Sequence, residues 1–250
     1  MCKLLTIRNM TLGDGIPKIC IPLTDNSLNR LNASIDALES VPFDFVEWRA
    51  DFYRGFEDAD ARREVLALLR DKLSDTPVLF TIRSVPEMGT ADLDTSLYTD
   101  ICLSVIESGL ADLIDVELSR GRQTMNILVS AAHRAGMKVI ASRHDPLATP
   151  DKSVIVDTLC TMQDLGADIV KFAVMPQCEH DVLTLLDATL TMKKEHCKTP
   201  FITMSMSRLG AVSRICGSVF GSSVTFGASG MQSAPGQLPA GILAEALKYL

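Results

Sequence analysis

Nowhere in this sequence do about 18 consecutive apolar residues occur, so no segment reads as a membrane-spanning helix. The opening Met1-Cys2-Lys3-Leu4-Leu5 is too short an apolar run for a signal peptide, and the expected compartment is the cytoplasm. Basic excess is also missing: 24 Lys and Arg stand against 31 Asp and Glu, a formal net charge of −7. Nucleic acid and anionic membrane surfaces demand a basic stripe, so neither is expected as a partner, and an anionic ligand must be met by local arginines. The seven cysteines (Cys2, Cys20, Cys102, Cys160, Cys178, Cys197, Cys216) are odd in number and form no C-x-x-C pair. They read as reduced thiols rather than a disulfide framework or a zinc cluster. Glu179-His180 and Glu195-His196-Cys197 lack the H-E-x-x-H spacing of a metal helix, so no metal is expected. No Gly/Ser/Pro linker or low-complexity tract divides the chain, which reads as one domain over 1–250.

What is present is a rhythm. The 250 residues are 47% hydrophobic, enough to fill a large core. Short apolar or alternating runs at 17–23, 43–50, 77–83, 113–118, 138–144, 168–175, 201–206 and 222–227 read as strands, each followed by an amphipathic stretch. A hairpin is possible in the first fifteen residues. Ser27 can cap the first helix, 58–73 carries helical spacing, and Thr149-Pro150-Asp151 reads as a helix start with proline in the first turn. Gly109, Gly136 and Gly166 stand where C-terminal caps end helices. This strand-helix repetition predicts an α/β (β/α)8 TIM barrel. A doubly wound sheet would need fewer strands and a glycine-rich phosphate loop after the first, where Pro22-Leu23-Thr24-Asp25 stands instead.

A barrel strand sends alternate side chains to the lumen. In Val46-Glu47-Trp48-Arg49-Ala50 the apolar set faces the helices, leaving Glu47 and Arg49 inward; an antiparallel strand with one wet face would read the same way. Thr81 and Arg83 point inward from the third strand, with Arg83 at the C-terminal end where barrel enzymes keep their active sites. Asp115 and Glu117 join the polar set without an assigned chemical role. Ile140, Ser142 and His144 share a face of the fifth strand. Lys171 lies within Asp168-Ile169-Val170-Lys171-Phe172-Ala173-Val174-Met175-Pro176, a run that otherwise reads as a buried strand. It is either a lysine that snorkels its head to water or an amine whose lowered pKa leaves it free for imine chemistry. Arg214 near the start of the next helix is a ready carboxylate or phosphate site. Ser233-Ala234-Pro235-Gly236-Gln237 reads either as a loop that closes over a ligand or as an ordinary surface loop.

Six of these segments, in order along the chain, resemble the type I 3-dehydroquinate dehydratases. They are Val46-Glu47-Trp48-Arg49-Ala50-Asp51, Phe80-Thr81-Ile82-Arg83 with Glu87 following, Ser142-Arg143-His144-Asp145, Val170-Lys171-Phe172-Ala173, Ser213-Arg214 and Ser233-Ala234-Pro235-Gly236-Gln237. The resemblance implies a (β/α)8 lyase of the shikimate pathway, a homodimer needing neither cofactor nor metal. It implies that Lys171 forms a Schiff base with the ketone of 3-dehydroquinate and that His144 is the acid-base residue. Arg214 would clamp the substrate carboxylate. Glu47, Arg49 and Arg83 would bind ring hydroxyls, Ser233 and Gln237 would come from the closing loop, and Glu87 would orient or tune His144.

Four positions depart from the family pattern. Met88 and Ser207 stand where glycine is frequent, Pro146 where an aromatic often follows, and Pro22 where some members carry a substrate-contacting serine. None removes an imine-forming or proton-transfer group. Two rivals remain at this level: a Schiff-base aldolase or transaldolase, which would favour a phosphate site after strands seven and eight, and a non-catalytic barrel kept as a binding protein.

Overall fold

The computed structural model describes residues 3–230 and 233–250. The hairpin is there: β1 (Leu5–Ile7) pairs antiparallel with β2 (Met10–Leu12). Eight parallel strands follow: β3 (Lys18–Leu23), β4 (Phe45–Arg49), β5 (Val78–Thr81), β6 (Leu113–Glu117), β7 (Lys138–Asp145), β8 (Ile169–Val174), β9 (Phe201–Ser205) and β10 (Val224–Phe226). They run in the order β10-β3-β4-β5-β6-β7-β8-β9, so each strand neighbours its successor and the last returns to the first. At the seam between β9 and β10 the ladder gives way to single links. Ser223 N–H donates to Phe201 O at 2.8 Å, and Thr203 N–H donates to the Ser222 hydroxyl at 3.1 Å. Helices α1 (Leu28–Asp36), α2 (Ala59–Leu73), α3 (Thr95–Ser108), α4 (Arg122–Arg134), α5 (Lys152–Asp164), α6 (Glu179–Thr191), α7 (Gly217–Phe220) and α8 (Ala240–Leu247) alternate with the strands. The expected (β/α)8 architecture is the observed one.

Period-2 alternation divides the apolar residues into two cores. Val46, Trp48, Phe80, Ile114, Val139, Val170 and Phe172 face the helices and pack against Leu66, Tyr98, Leu128 and Leu159. The other set faces the lumen, and its lower layer is apolar: Phe45, Leu79, Leu113, Ile140, Ile169 and Ile202. Ile7, Met10 and Leu12 of the hairpin join that layer, so the hairpin plugs the N-terminal end of the barrel. Above it the inward positions turn polar. Glu47, Thr81, Asp115, Ser142 and Lys171 are buried, with Arg83, Glu117 and Arg49 beyond them toward the C-terminal ends.

Local signals held in most places. Asp58 caps α2 by accepting Ala61 N–H at 2.8 Å, and Gly109, Gly136 and Gly166 adopt positive φ just after α3, α4 and α5. Three expectations need correction. Ser27 occupies the N-cap of α1, but its side chain makes no cap bond; only its carbonyl takes part, accepting Leu31 N–H. Pro150 precedes the N-cap Asp151 of α5 instead of lying in the first turn, because the chain is still extended at Asp151. Among the cysteines, Cys20, Cys102, Cys160, Cys178 and Cys216 are free, but Cys197 is disulfide-bonded, since pairing across a fold leaves no trace in sequence spacing. Met1 and Cys2 lie outside the described residues. Among the described residues, no helix is long and apolar enough to cross a membrane, and no three His, Cys, Asp or Glu side chains group as metal ligands.

Candidate active site

The C-terminal ends of the strands open into a pocket of about 510 Å³, its mouth included, lined by all nine residues singled out from the sequence. β4 contributes Glu47 and Arg49, the turn after β5 Arg83 and Glu87, β7 His144 and β8 Lys171. The segment after β9 contributes Arg214, and the segment after β10 Ser233 and Gln237. β7 and β8 pair with Ser142 opposite Lys171 and Ala173 opposite His144, which sets the imidazole one pleat above the amine on the neighbouring strand.

Lys171 does not snorkel. It is 5% exposed, and Nζ stands 4.3 Å from the centroid of the Phe226 ring, a cation–π distance. Burial lowers its pKa, opposed by Glu47 and Asp115 and aided by Arg83. The amine therefore sheds its proton more readily than an exposed lysine and can act as a nucleophile.

His144 is held by Glu87, whose Oε2 accepts the His144 backbone N–H at 3.0 Å and lies 3.0 Å from Nδ1. With Nδ1–H assigned as donor to the carboxylate, Nε2 carries the lone pair toward the pocket. Burial, followed by the Arg83, Lys171 and Arg49 charges, drives the imidazole pKa well below 6.5, so it is neutral at pH 7 and available as a base. The Glu87 carboxyl is itself pushed up to about 7, by burial first, with Arg83 opposing and Glu117 reinforcing.

Three arginines reach the pocket, and their partners separate their uses. Arg49 closes its fork on Asp51 through Nε at 2.8 Å and Nη2 at 2.9 Å, a bidentate pair. Asp51 also accepts the backbone N–H groups of Arg83 and Thr90, so it ties β4 to the loop after β5. Arg83 is surrounded by acid: Nη1 donates to Glu117 and to the Ser142 hydroxyl at 3.0 Å each, and Nη2 lies 2.9 Å from Asp115. Burial alone would lower its pKa, but Asp115, Glu117, Glu87 and Glu47 together raise it. Among the described residues Arg214 has no such company. It is 2% exposed, Nη2 donates to Pro235 O at 3.1 Å, and Nη1 reaches only the Met204 thioether at 3.8 Å. Among the described residues its buried Nε has no hydrogen-bond partner, and burial lowers its pKa to about 10 with no acidic group among them opposing the shift. A buried guanidinium lacking a counter-ion is the strongest attractor for an anion in the pocket. Arg214 ends a 3-10 turn (Ala211–Arg214) before the four-residue α7, so the guanidinium itself, and not a helix terminus, is the group here able to attract an anion.

The segment after β10 rests over this arginine. Besides Arg214, Pro235 O accepts Ser207 N–H at 3.2 Å. Gln237 accepts Ser233 N–H at 2.7 Å and donates to the Ser233 hydroxyl at 2.9 Å, so the two residues brace each other. Two of the departures from the family pattern carry a measurable oddity: Met88 has φ +68° and Ser207 φ +58°, the left-handed region that glycine occupies without strain.

Sequence reading gave several lining residues no role. Met204 and Met206 follow Ile202 on the same lumen-facing alternation, and Phe226 follows Val224, so the period-2 rule contained them. Asp51 appeared only as part of a motif. Ser119, whose hydroxyl donates to Glu87 Oε1 at 2.6 Å, left no signal, because that contact joins two turns far apart in sequence.

A family model described as type I 3-dehydroquinase matches residues 19–250. The 3-dehydroquinate dehydratase of Clostridium novyi (strain NT) is 46% identical over 248 residues, covering 99% of this chain and 98% of that protein. That of Bacillus licheniformis is 45% identical over 250 residues, covering 100% and 98%. A 1.95 Å crystal structure of the type I 3-dehydroquinate dehydratase from Clostridium difficile, with covalently modified comenic acid, superposes with a TM-score of 0.95 at 44% identity, covering 99% of this chain and 97% of that one.

Proposed function

This chain belongs to the type I 3-dehydroquinase family, a family of lyases, and from that membership we propose that it dehydrates 3-dehydroquinate to 3-dehydroshikimate through a Schiff base on Lys171, a step of the shikimate pathway. The observation that carries the reading is a buried lysine of lowered pKa sharing one pocket with a neutral histidine and an uncompensated arginine.

The chemistry follows from those three groups. The Arg214 fork holds the substrate carboxylate and turns the ring carbonyl toward β8. The free Lys171 amine adds to C3, and loss of one water with uptake of one proton, returned when the imine is hydrolysed, gives the iminium. The iminium withdraws electrons from C2, whose proton passes to His144 Nε2, leaving an enamine. The enamine expels the C1 hydroxyl, which takes the proton back from His144 and departs as a second water. One water then hydrolyses the imine, releasing product and restoring the amine, so the net change is loss of one water. Glu87 stabilises the imidazolium during the interval when His144 carries the proton. Arg49 and Arg83 are paired with Asp51, Asp115 and Glu117, so their first effect is to shape the field of the lumen, with fewer N–H groups left for ring hydroxyls. Glu47, which accepts the Thr81 hydroxyl at 2.9 Å, offers its other oxygen to the substrate.

Borohydride reduction in the presence of 3-dehydroquinate should leave a stable adduct, mapped by mass spectrometry to Lys171. An adduct on another lysine, or none, overturns the assignment. His144→Ala should still form the adduct while kcat falls by about 10²-fold or more, the range expected of a lost acid-base group. The cytoplasmic location and the homodimer implied by family resemblance belong to the same proposal; cell fractionation and light scattering test them. Family membership stands against both rivals, the aldolase and the non-catalytic barrel.

A further inference from the structure

We propose that Ser119 is a positioning residue for the acid-base pair, its hydroxyl fixing the Glu87 carboxyl and, through it, the ring nitrogen that His144 presents to the pocket. The inference rests on the function proposed above only for the use made of that nitrogen. Glu87 has two oxygens with divided duties. Oε2 is committed to His144, at 3.0 Å from both its backbone N and its Nδ1, with Arg83 Nη1 more distant at 3.5 Å. Oε1 receives the Ser119 hydroxyl at 2.6 Å. With both oxygens bonded, the carboxyl plane cannot turn; with Oε1 released, rotation about the terminal torsion, which is broad for glutamate, would misalign Oε2 and Nδ1.

Ser119 is well placed to hold still. It lies in the short turn Leu118–Arg120 after β6, between two anchored neighbours. Glu117 accepts from Arg83 Nη1 at 3.0 Å and from Ser84 N–H at 2.9 Å, while Arg120 donates to Leu93 O at 2.7 Å and stacks over the Tyr98 ring at 4.4 Å. The Ser119 residue itself is exposed, so removing its hydroxyl leaves no core cavity. The charges that surround the Glu87–His144 pair come from every wall. They are Glu47 and Arg49 from β4, Arg83 after β5, Asp115 and Glu117 from β6, and Lys171 from β8. All of these remain in a Ser119 variant, so a change in titration isolates the hydroxyl. Its bond favours the ionised carboxylate, the form that accepts Nδ1–H.

The test compares the native chain with Ser119→Ala and Ser119→Thr. Carbon-detected NMR follows the Glu87 carboxyl, assigned by its loss in Glu87→Gln, and nitrogen NMR reads the His144 tautomer. In Ser119→Ala the Glu87 midpoint, about 7 in the native chain, should rise by roughly one pH unit, the effect of losing one hydrogen bond to a charged group. The Nδ1–H tautomer should lose population at pH 7. The acid limb of kcat should move upward with that midpoint, kcat at pH 7 should fall about fivefold as the ionised fraction drops, and KM should change by less than about twofold. Ser119→Thr, which keeps the hydroxyl, should restore the Glu87 midpoint, the tautomer population and the kcat profile. An unmoved Glu87 midpoint in Ser119→Ala, as when solvent takes the place of the hydroxyl, overturns the proposal, as does failure of threonine to rescue. The NMR titration needs no turnover, so absence of the Lys171 adduct would defeat the proposed reaction without deciding the fate of Ser119.

Discussion

Glu87 is 4% exposed, and its carboxyl is pushed up to about 7 from an ordinary 4.5, by burial first, with Arg83 pulling the other way. Because the folded chain binds this proton more tightly than the unfolded chain, Glu87 favours folding at acid pH. That contribution is full below about pH 4.5 and is lost as pH rises through about 7. His144 runs oppositely. Its folded pKa lies below 6.5, so its contribution is present above pH 6.5 and is lost as pH falls below that value. Glu87→Gln should therefore be more stable than the native chain at pH 8, with a Tm higher by a few degrees, and the difference should shrink toward pH 5. Turnover should fall at both pH values, because the amide cannot stabilise an imidazolium. Calorimetry at the two pH values reads the sign; a variant less stable than native at pH 8 would show that the Ser119 and His144 bonds outweigh desolvation. The left-handed Met88, which also lines the pocket, is a second residue held in a costly state beside the chemistry, in keeping with strain gathering at functional sites.

The β1–β2 hairpin illustrates the division of labour between elements. Ile7, Met10 and Leu12 close the lower lumen against Phe45, Leu79 and Leu113, and Arg8 anchors the hairpin to Asp112 at 2.5 Å. This end of the barrel carries stability and the other end chemistry. Leu12→Ala, at a side chain only 1% exposed, should cost about 2–4 kcal/mol and lower the denaturation midpoint. Its kcat/KM at 25 °C should remain within about twofold of native; a large loss would mean that the lower layer transmits to Lys171. The same elements show what sequence could convey. Strand alternation gave the inward and outward sets correctly at Glu47, Arg49, Arg83, His144 and Lys171, because a parallel barrel enforces one face for every second residue. The ladder itself ends at Thr81, so Arg83 keeps its inward direction without being part of the strand. The ties from Asp51 to Arg83 and Thr90 and from Ser119 to Glu87 were beyond reach for a different reason: they depend on how turns from separate βα units meet, and no periodicity encodes that.

At the scale of the whole molecule, a chain of formal net charge −7 is proposed to act on a carboxylate substrate, so the distant field opposes the approach that the pocket rewards. The favourable charge is deep: Arg214 is 2% exposed. The remaining pocket arginines are neutralised by Asp51, Asp115 and Glu117, so they add little beyond the mouth. Salt acts unequally on these two layers. Exposed acidic groups lie in water, where the screening length is about 30 Å at 0.01 M and about 8 Å at 0.15 M, while the buried guanidinium is screened far less. Raising ionic strength from about 10 to 150 mM should therefore weaken the repulsion more than the attraction, and kcat/KM should rise by up to a few-fold, through KM, with kcat constant. Steady-state rates across a sodium chloride series, at fixed pH 8 where Glu87 is mostly ionised, measure this directly. A steep decline with salt would instead place the capture of the substrate on exposed cations at the rim, and Arg214 would then hold a substrate that other residues had already drawn in.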